Sequence, residues 1–279
     1  MRIALPARLR SRRSAVAGLA VLVAFVLVAV LADVIAPGDP LAGTGPPFAP
    51  PSGAHWFGTD SLGRDVFAGV VHASRATLVV GLASAALAAA VGTVVGGISG
   101  YAGGLVDDVL MRLVEVVEIV PRFFLAVVLA ALFGPSVPVV VLLLGFTLWP
   151  ETARLLRAEV LSIRHRDFVV AGRASGLSPG AVLVRHVLPN AAGVVVVSGA
   201  LHVGTAVLVQ AGLAFLGLVD ASTLSWGGML QSAQGFVTIA WWPAVFPGLA
   251  LSLLVVSANL LGDGLLAALS IRGPRSRAL

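Results

Sequence analysis

Between Ala76 and Val106 no residue carries a charge. A backbone in lipid can satisfy its own polar groups as a helix, and about 20 helical residues cross the ~30 Å hydrocarbon core of a bilayer. The run is therefore read as a membrane span followed by part of a turn at Gly103-Gly104. The whole chain has the same character, with 58% hydrophobic and 11% charged residues and a mean hydropathy of +1.01. Soluble domains carry roughly 25% charged residues, so here the apolar surplus must face lipid.

Five more spans follow from the same reasoning. The first covers Ser14 to Ala32, behind Arg2, Arg8, Arg10, Arg12 and Arg13. It resembles a signal peptide, but it is longer than such a segment and leads into no convincing cleavage site, so it is read as retained. A third span runs from near Arg112 to Phe133, a fourth from Val139 to about Trp149, a fifth from about Ala191 to Leu218 and a sixth from about Ala244 to Leu261. Prolines and glycines crowd residues 36 to 51, where neither helix nor strand can persist. Residues 151 to 189 hold six arginines and are read as a hydrophilic loop, and Trp226, Trp241 and Trp242 as residues of a membrane interface.

The expected fold is all-α with six transmembrane helices. It divides into a basic N-terminus and first helix (1–35), an extracytoplasmic segment (36–75), a five-helix core (76–270) with a cytoplasmic loop at 158–190, and a tail (271–279). All 18 basic residues are arginine, and fifteen fall on one set of connections and ends. By the positive-inside rule that set, both termini included, is cytoplasmic. The basic excess is thus a topology signal, and no nucleic-acid partner is expected.

Three constellations stand out. Ser84, Ala88, Gly92, Gly96, Gly100 and Gly104 recur at every fourth position, which places small residues on one helix face where another backbone can approach closely. Arg112, Glu115, Glu118 and Arg122 form a polar stripe, with Arg112 expected near Glu115 and Glu118 near Arg122. Charges at membrane depth face a bundle interior or an aqueous cavity, so Glu118 and Arg122 are candidate pathway residues; a helix projecting into the cytoplasm is the plainer reading. On the outer side Asp60, Arg64 and Asp65 are candidates for gating or for contact with a binding protein, or else a solvated loop held by Arg64.

The loop from 160 to 190 reads as a short amphipathic helix from Phe168 to Ser175, a break at Gly176, a second helix starting at Ser178-Pro179, and His186-Val-Leu-Pro-Asn190 leading into the fifth span. Here the residues resemble a family. Phe168-Val-Val-Ala-Gly-Arg-Ala-Ser-Gly-Leu-Ser and His186-Val-Leu-Pro-Asn190 resemble the cytoplasmic signature of permease subunits of binding-protein-dependent ABC importers. Ala171, Gly176, Leu188 and Pro189 match it, with the spacing of the peptide-type branch. Val170 stands where the family usually has glutamate and Gly172 where it usually has alanine, which tells against a specific ion pair there but keeps the helix-break-helix shape. His55-Trp-Phe-Gly-Thr-Asp-Ser-Leu-Gly-Arg-Asp65, Gly100-Tyr-Ala-Gly-Gly104, Gln210-Ala-Gly-Leu-Ala-Phe-Leu-Gly217, Ser225-Trp-Gly-Gly-Met-Leu230 and Asn259-Leu-Leu-Gly-Asp-Gly264 resemble, in order, stretches of the C-type subunits of dipeptide, oligopeptide and nickel importers.

The resemblance implies a type I importer permease fold in the bacterial inner membrane. It implies a second homologous permease, two cytoplasmic ATPases and an extracytoplasmic solute-binding protein as partners. It also implies that Phe168, Val170, Ala171, Gly172, Arg173, Ala174, Gly176, His186, Leu188 and Pro189 couple this chain to the ATPases. A chain without lysine cannot form a phosphate-binding Gly-x-x-x-x-Gly-Lys loop, so no catalytic site, cofactor or metal is expected here, and ATP would be bound by the partners. The alternatives are an ion-gradient-driven secondary transporter or channel, which usually places carboxylates within its spans, and a membrane-embedded enzyme, for which no converging acid, base or metal ligands are found. With no cysteine and five scattered histidines, disulfides, thiolate chemistry and a histidine cluster are excluded.

Overall fold

Lipid offers no water to unpaired backbone groups, and every long uncharged run of the sequence is helical in the computed structural model, which describes residues 13–134, 136–219 and 223–270. The arginines at positions 2 to 12, Asp220 and the tail from residue 271 lie outside the described residues. In chain order the helices are α1 (Arg13–Val30), α2 (Ala32–Ile35), α3 (Val66–Ala102), α4 (Gly104–Ile119), α5 (Arg122–Phe133), α6 (Val137–Ile163), α7 (Asp167–Ala174), α8 (Pro179–Val182), α9 (Leu188–Phe215), α10 (Trp226–Ala233) and α11 (Trp242–Ser270). A π-turn, Leu183–Val187, joins α8 to α9 without a break. Five helices are long and apolar enough to cross a membrane, or six spans if the bent pair α4–α5 counts as one.

The core is built around α3, which packs chiefly on α6 and α9, while α9 also packs on α11. The stripe of small residues explains the closeness. A Cβ at Gly92 would lie 2.6 Å from the Thr152 Cβ, one at Gly100 2.8 Å from the Arg157 carbonyl, and one at Gly96 would overlap the Ala153 backbone. Where lipid removes the hydrophobic drive between helices, this close van der Waals packing holds them together. Gly104 falls outside the stripe and meets open space, because α3 has already ended at Gly103, whose φ of +67° turns the chain into α4.

Several expectations are corrected. The second span opens at Val66 rather than near Ala76, because the charges that seemed to bound it are satisfied. Arg75 donates to the Ala29 carbonyl at 2.7 Å and pairs with Asp33 at 2.8 Å, and the His72 ring lies 2.9 Å from the Ala36 carbonyl. The fourth span continues through Pro150 to Ile163, so residues 151 to 163 are helix and not loop; their arginines found acidic partners on α4. The third span is two helices bent by 73°, because Pro121 lacks an N–H and keeps Val120 extended, at φ −80° and ψ 124°. Trp226 and Trp242 are buried rather than interfacial, donating to the Val70 and Thr59 carbonyls at 2.9 and 3.0 Å; Trp241 is exposed.

At one end of the bundle, residues 36 to 65 pack without a helix or regular strand. Buried Thr59 organises them, donating to the Pro46 carbonyl at 2.6 Å and accepting from the Ala49 N–H at 2.8 Å. At the opposite end lie α7 and α8. The first helix docks against the last, where a Cβ at Gly18 would lie 2.6 Å from the Ser257 carbonyl and Gly264 meets Ala15.

Candidate functional site

The α7–α8 hairpin owes its shape to local chemistry. Asp167 in the first turn of α7 and Arg173 in the last complement the helix dipole. The helix ends in a Schellman motif, in which Gly176 N–H donates to the Arg173 carbonyl at 3.0 Å and Leu177 N–H to the Gly172 carbonyl at 3.3 Å. This needs a left-handed residue, and Gly176 has φ +81°. Ser178 then caps α8, accepting from the Ala181 N–H at 3.3 Å, and Pro179 occupies its first turn.

One side of the hairpin is fixed to the bundle. Val169, Val182 and Val187 are fully buried with Leu156, Val160 and Ile163 of α6. Arg173 donates to the Tyr101 hydroxyl at 3.2 Å and lies over its ring at 4.9 Å, tying α7 to the last turn of α3. Arg164 adds a 3.1 Å bond to the Gly100 carbonyl, one of the acceptors a helix end leaves free.

The other side is open and apolar. Phe168 is 39% and Val170 53% exposed, Ala171, Ala174, Gly176 and Pro189 are exposed, and Gly172, His186 and Leu188 are half-buried. A Cβ at Gly172 would touch Leu177 at 3.7 Å and His186 at 3.8 Å, so the alanine usual in the resembling family would fit this site. The fifth span does not begin at Pro189, because the helix from α8 runs through it. Pro189 has no N–H and its ring crowds the carbonyl four residues back, and the π-turn relieves this by passing the Leu188 N–H to the Leu183 carbonyl. The second short helix is thereby continuous with the fifth span.

The charged stripe is rearranged. Arg112 does pair with Glu115, at 2.9 Å. Glu118 and Arg122 do not pair with each other, because the bend at Pro121 turns both toward α6: Glu118 meets Arg154 at 2.8 Å and Arg122 meets Glu151 at 3.5 Å. At the start of α4, Asp107 accepts two bonds from Arg157, at 2.5 and 2.6 Å, and one from Ser99. Asp107 and Glu118 thus tie α4 to Arg157 and Arg154 of α6, and Val114 between them is buried in the cluster that holds Leu148 and Ala153. Arg157, Arg154, Glu151 and Asp107 carried no local signal, since each partner is remote in sequence.

At the far end Asp60 accepts from the Leu62 and Arg64 N–H groups at 2.8 and 2.9 Å. Asp65 caps α3, accepting from the Ala68 N–H at 3.0 Å, and meets the His55 ring at 2.8 Å. Among the described residues Arg64 forms no ion pair, so the loop is not held by it as expected. Asp60, Arg64 and Asp65 border an open cavity of about 340 Å³ that Phe48, Met229 and Phe236 also line.

A family model described as "Binding-protein-dependent transport system inner membrane component" matches residues 92–272. A second, described as the N-terminal TM domain of oligopeptide transport permease C, matches residues 6–51. The chain is 35% identical over 261 residues to the dipeptide transport system permease protein DppC of Alkalihalophilus pseudofirmus, covering 92% of this chain and 86% of that one. It is 40% identical over 218 residues to a putative peptide permease protein of Brucella suis, covering 77% and 72%. To the oligopeptide transport system permease protein OppC of Bacillus subtilis it is 33% identical over 261 residues, covering 92% and 85%.

Proposed function

The chain belongs to the inner-membrane components of binding-protein-dependent transport systems, and on that premise we propose that it forms half of a translocation pathway for peptides, beside a second, homologous permease. A component of this kind is a multi-pass permease of the cytoplasmic membrane that works with ATPase and solute-binding partners and is not itself a catalyst. In this reading two cytoplasmic ATPases drive transport and an extracytoplasmic binding protein delivers the solute. No cofactor is assigned to the chain, and ATP stays with the ATPases. Peptides are the solute named for the relatives.

The observation that carries the coupling role is the two-sided hairpin. Its inner face is locked to α3 and α6, and its outer face offers Phe168 and Val170 to a partner. A rigid segment of this kind passes on a partner's motion, because only differential contact in two states can drive a switch. Phe168, Val170, Ala171, Ala174 and Gly176 would meet the ATPase, while Gly172, Arg173, His186, Leu188 and Pro189 set the hairpin's shape. In this reading Asp60, Arg64 and Asp65 lie at the opposite end and would face the binding protein, and Glu118 and Arg122 would line the pathway. Both termini are then cytoplasmic.

The test is affinity purification of the tagged chain in mild detergent, followed by ATPase and uptake assays. A second permease and two ATPases should co-purify. Gly176→Trp should assemble, because open space surrounds that Cα, yet hydrolyse ATP without uptake, because a side chain at φ +81° forces the turn to open. A homo-oligomer without ATPase, or normal uptake in Gly176→Trp, would refute the reading.

A further inference from the structure

Four charged side chains meet where α5 and the end of α4 lie against α6, and each remains partly open. The side chains of Glu118, Arg122, Glu151 and Arg154 are 20%, 35%, 43% and 56% exposed. Their level in the bundle is set by Thr152, which packs on Gly92 of α3 and lies 3.0 Å from the His202 ring of α9. Gly92 belongs to the uncharged run from Ala76 to Val106, so the charges sit beside a membrane span and not beyond its end. Charges at that depth do not face hydrocarbon. Their open side borders an aqueous path or the second permease.

We infer that this quartet is a binding point for both termini of a peptide in transit, the α-ammonium group taken by Glu118 or Glu151 and the α-carboxylate by Arg122 or Arg154. The inference rests on the peptide-importer reading and adds the chemistry that the pathway reads. The four charges cancel, and they stand as two ion pairs of opposite direction, one within hydrogen-bonding distance at 2.8 Å and one looser at 3.5 Å. A solute that brings one ammonium and one carboxylate can exchange into them with no ion left unpaired. A solute with only one of these charges leaves one member of the quartet without a counter-charge, which is less favourable. Glu151 and Arg154 are three apart on a helix, so their Cβ atoms are about 5–6 Å apart. A dipeptide spans roughly 7 Å, so both ends can be held at once. Termini are common to all peptides, so the site accepts any sequence that the binding protein delivers.

The complete transporter in vesicles, with its binding protein, tests this by uptake of a free dipeptide and of its N-acetylated form. The readout is the ratio of the two rates. Because the same binding protein serves every variant, its own preference cancels. In Glu118→Gln/Glu151→Gln the ratio should fall about tenfold relative to wild type, the size of one lost charge-assisted contact. In Arg122→Gln/Arg154→Gln the ratio for the free against the C-amidated dipeptide should fall likewise. Should the carboxylate double variant not assemble, Glu151→Gln on the looser pair gives the same readout. Unchanged ratios in an otherwise active importer would overturn the inference alone, whereas a wild-type assembly without ATP-dependent peptide uptake would overturn the importer reading with it.

Discussion

Asp33 and Arg75 join α2 to α3 through a two-bonded ion pair, at 3.0 and 2.8 Å. The guanidinium, helped by nearby His72, holds the Asp33 carboxyl below its usual 3.8. A carboxyl depressed by folding contributes stability that is fully present above 3.8 and lost as pH falls through the lowered folded value. The difference in melting temperature between wild type and Asp33→Asn should hold from neutral pH down to that range and vanish below it. A difference that changes near neutrality would implicate another group. Asp107 is the more demanding case, because it is buried and accepts from Arg157 twice and from Ser99. Asp107→Asn strands the arginine and should cost about 2 kcal/mol in thermal unfolding. Adding Arg157→Gln should recover part of that loss, as coupled partners do. Single charges such as these were visible in the sequence, but their partners were not. Neighbour spacing on one helix identified Arg112 with Glu115 and misassigned Glu118 to Arg122, because Pro121 bends the path between them.

Elements were more legible than contacts. Uncharged length located the spans, and the small-residue period marked the face by which α3 meets α6. Gly176 and the Ser178-Pro179 pair correctly marked the turn of the hairpin, because each serves a purely local backbone need. Helix ends were misjudged where a charge seemed to close a span, at Arg75 and Glu151, since remote partners satisfied both. Pro189 was taken for a boundary, yet the π-turn carries the helix through it. Pro189→Ala would restore an N–H at that position and let a regular α-turn form. The segment from Pro179 to Val187 should then rotate by about 100° relative to α9, one residue's turn. The expected outcome is a protein less stable than wild type, because Val182 and Val187 leave their packing on α6, that still hydrolyses ATP and imports little. Normal import per ATP would show that the register of this turn does not matter.

For the molecule as a whole, arginine placement gave an orientation that single cysteines can check, since the chain contains none. A cysteine at exposed Ser52 should react with a membrane-impermeant maleimide in intact cells, and one at exposed Ser175 only after permeabilisation; the reverse pattern would invert the topology. What composition could not convey was the pairing of α4 with α6, in which Asp107 meets Arg157 and Glu118 meets Arg154. The docking of α1 on α11 through Gly18, Ser257, Ala15 and Gly264 bears on how the protein is made. Of the described helices, α1 packs most extensively on α11, which is made long after it. Throughout translation α1 must wait in the bilayer with that flank uncovered, and membrane proteases or helper insertases have that interval in which to engage it. Loss of the last helix would leave α1 with only its contacts to α3 and Trp226.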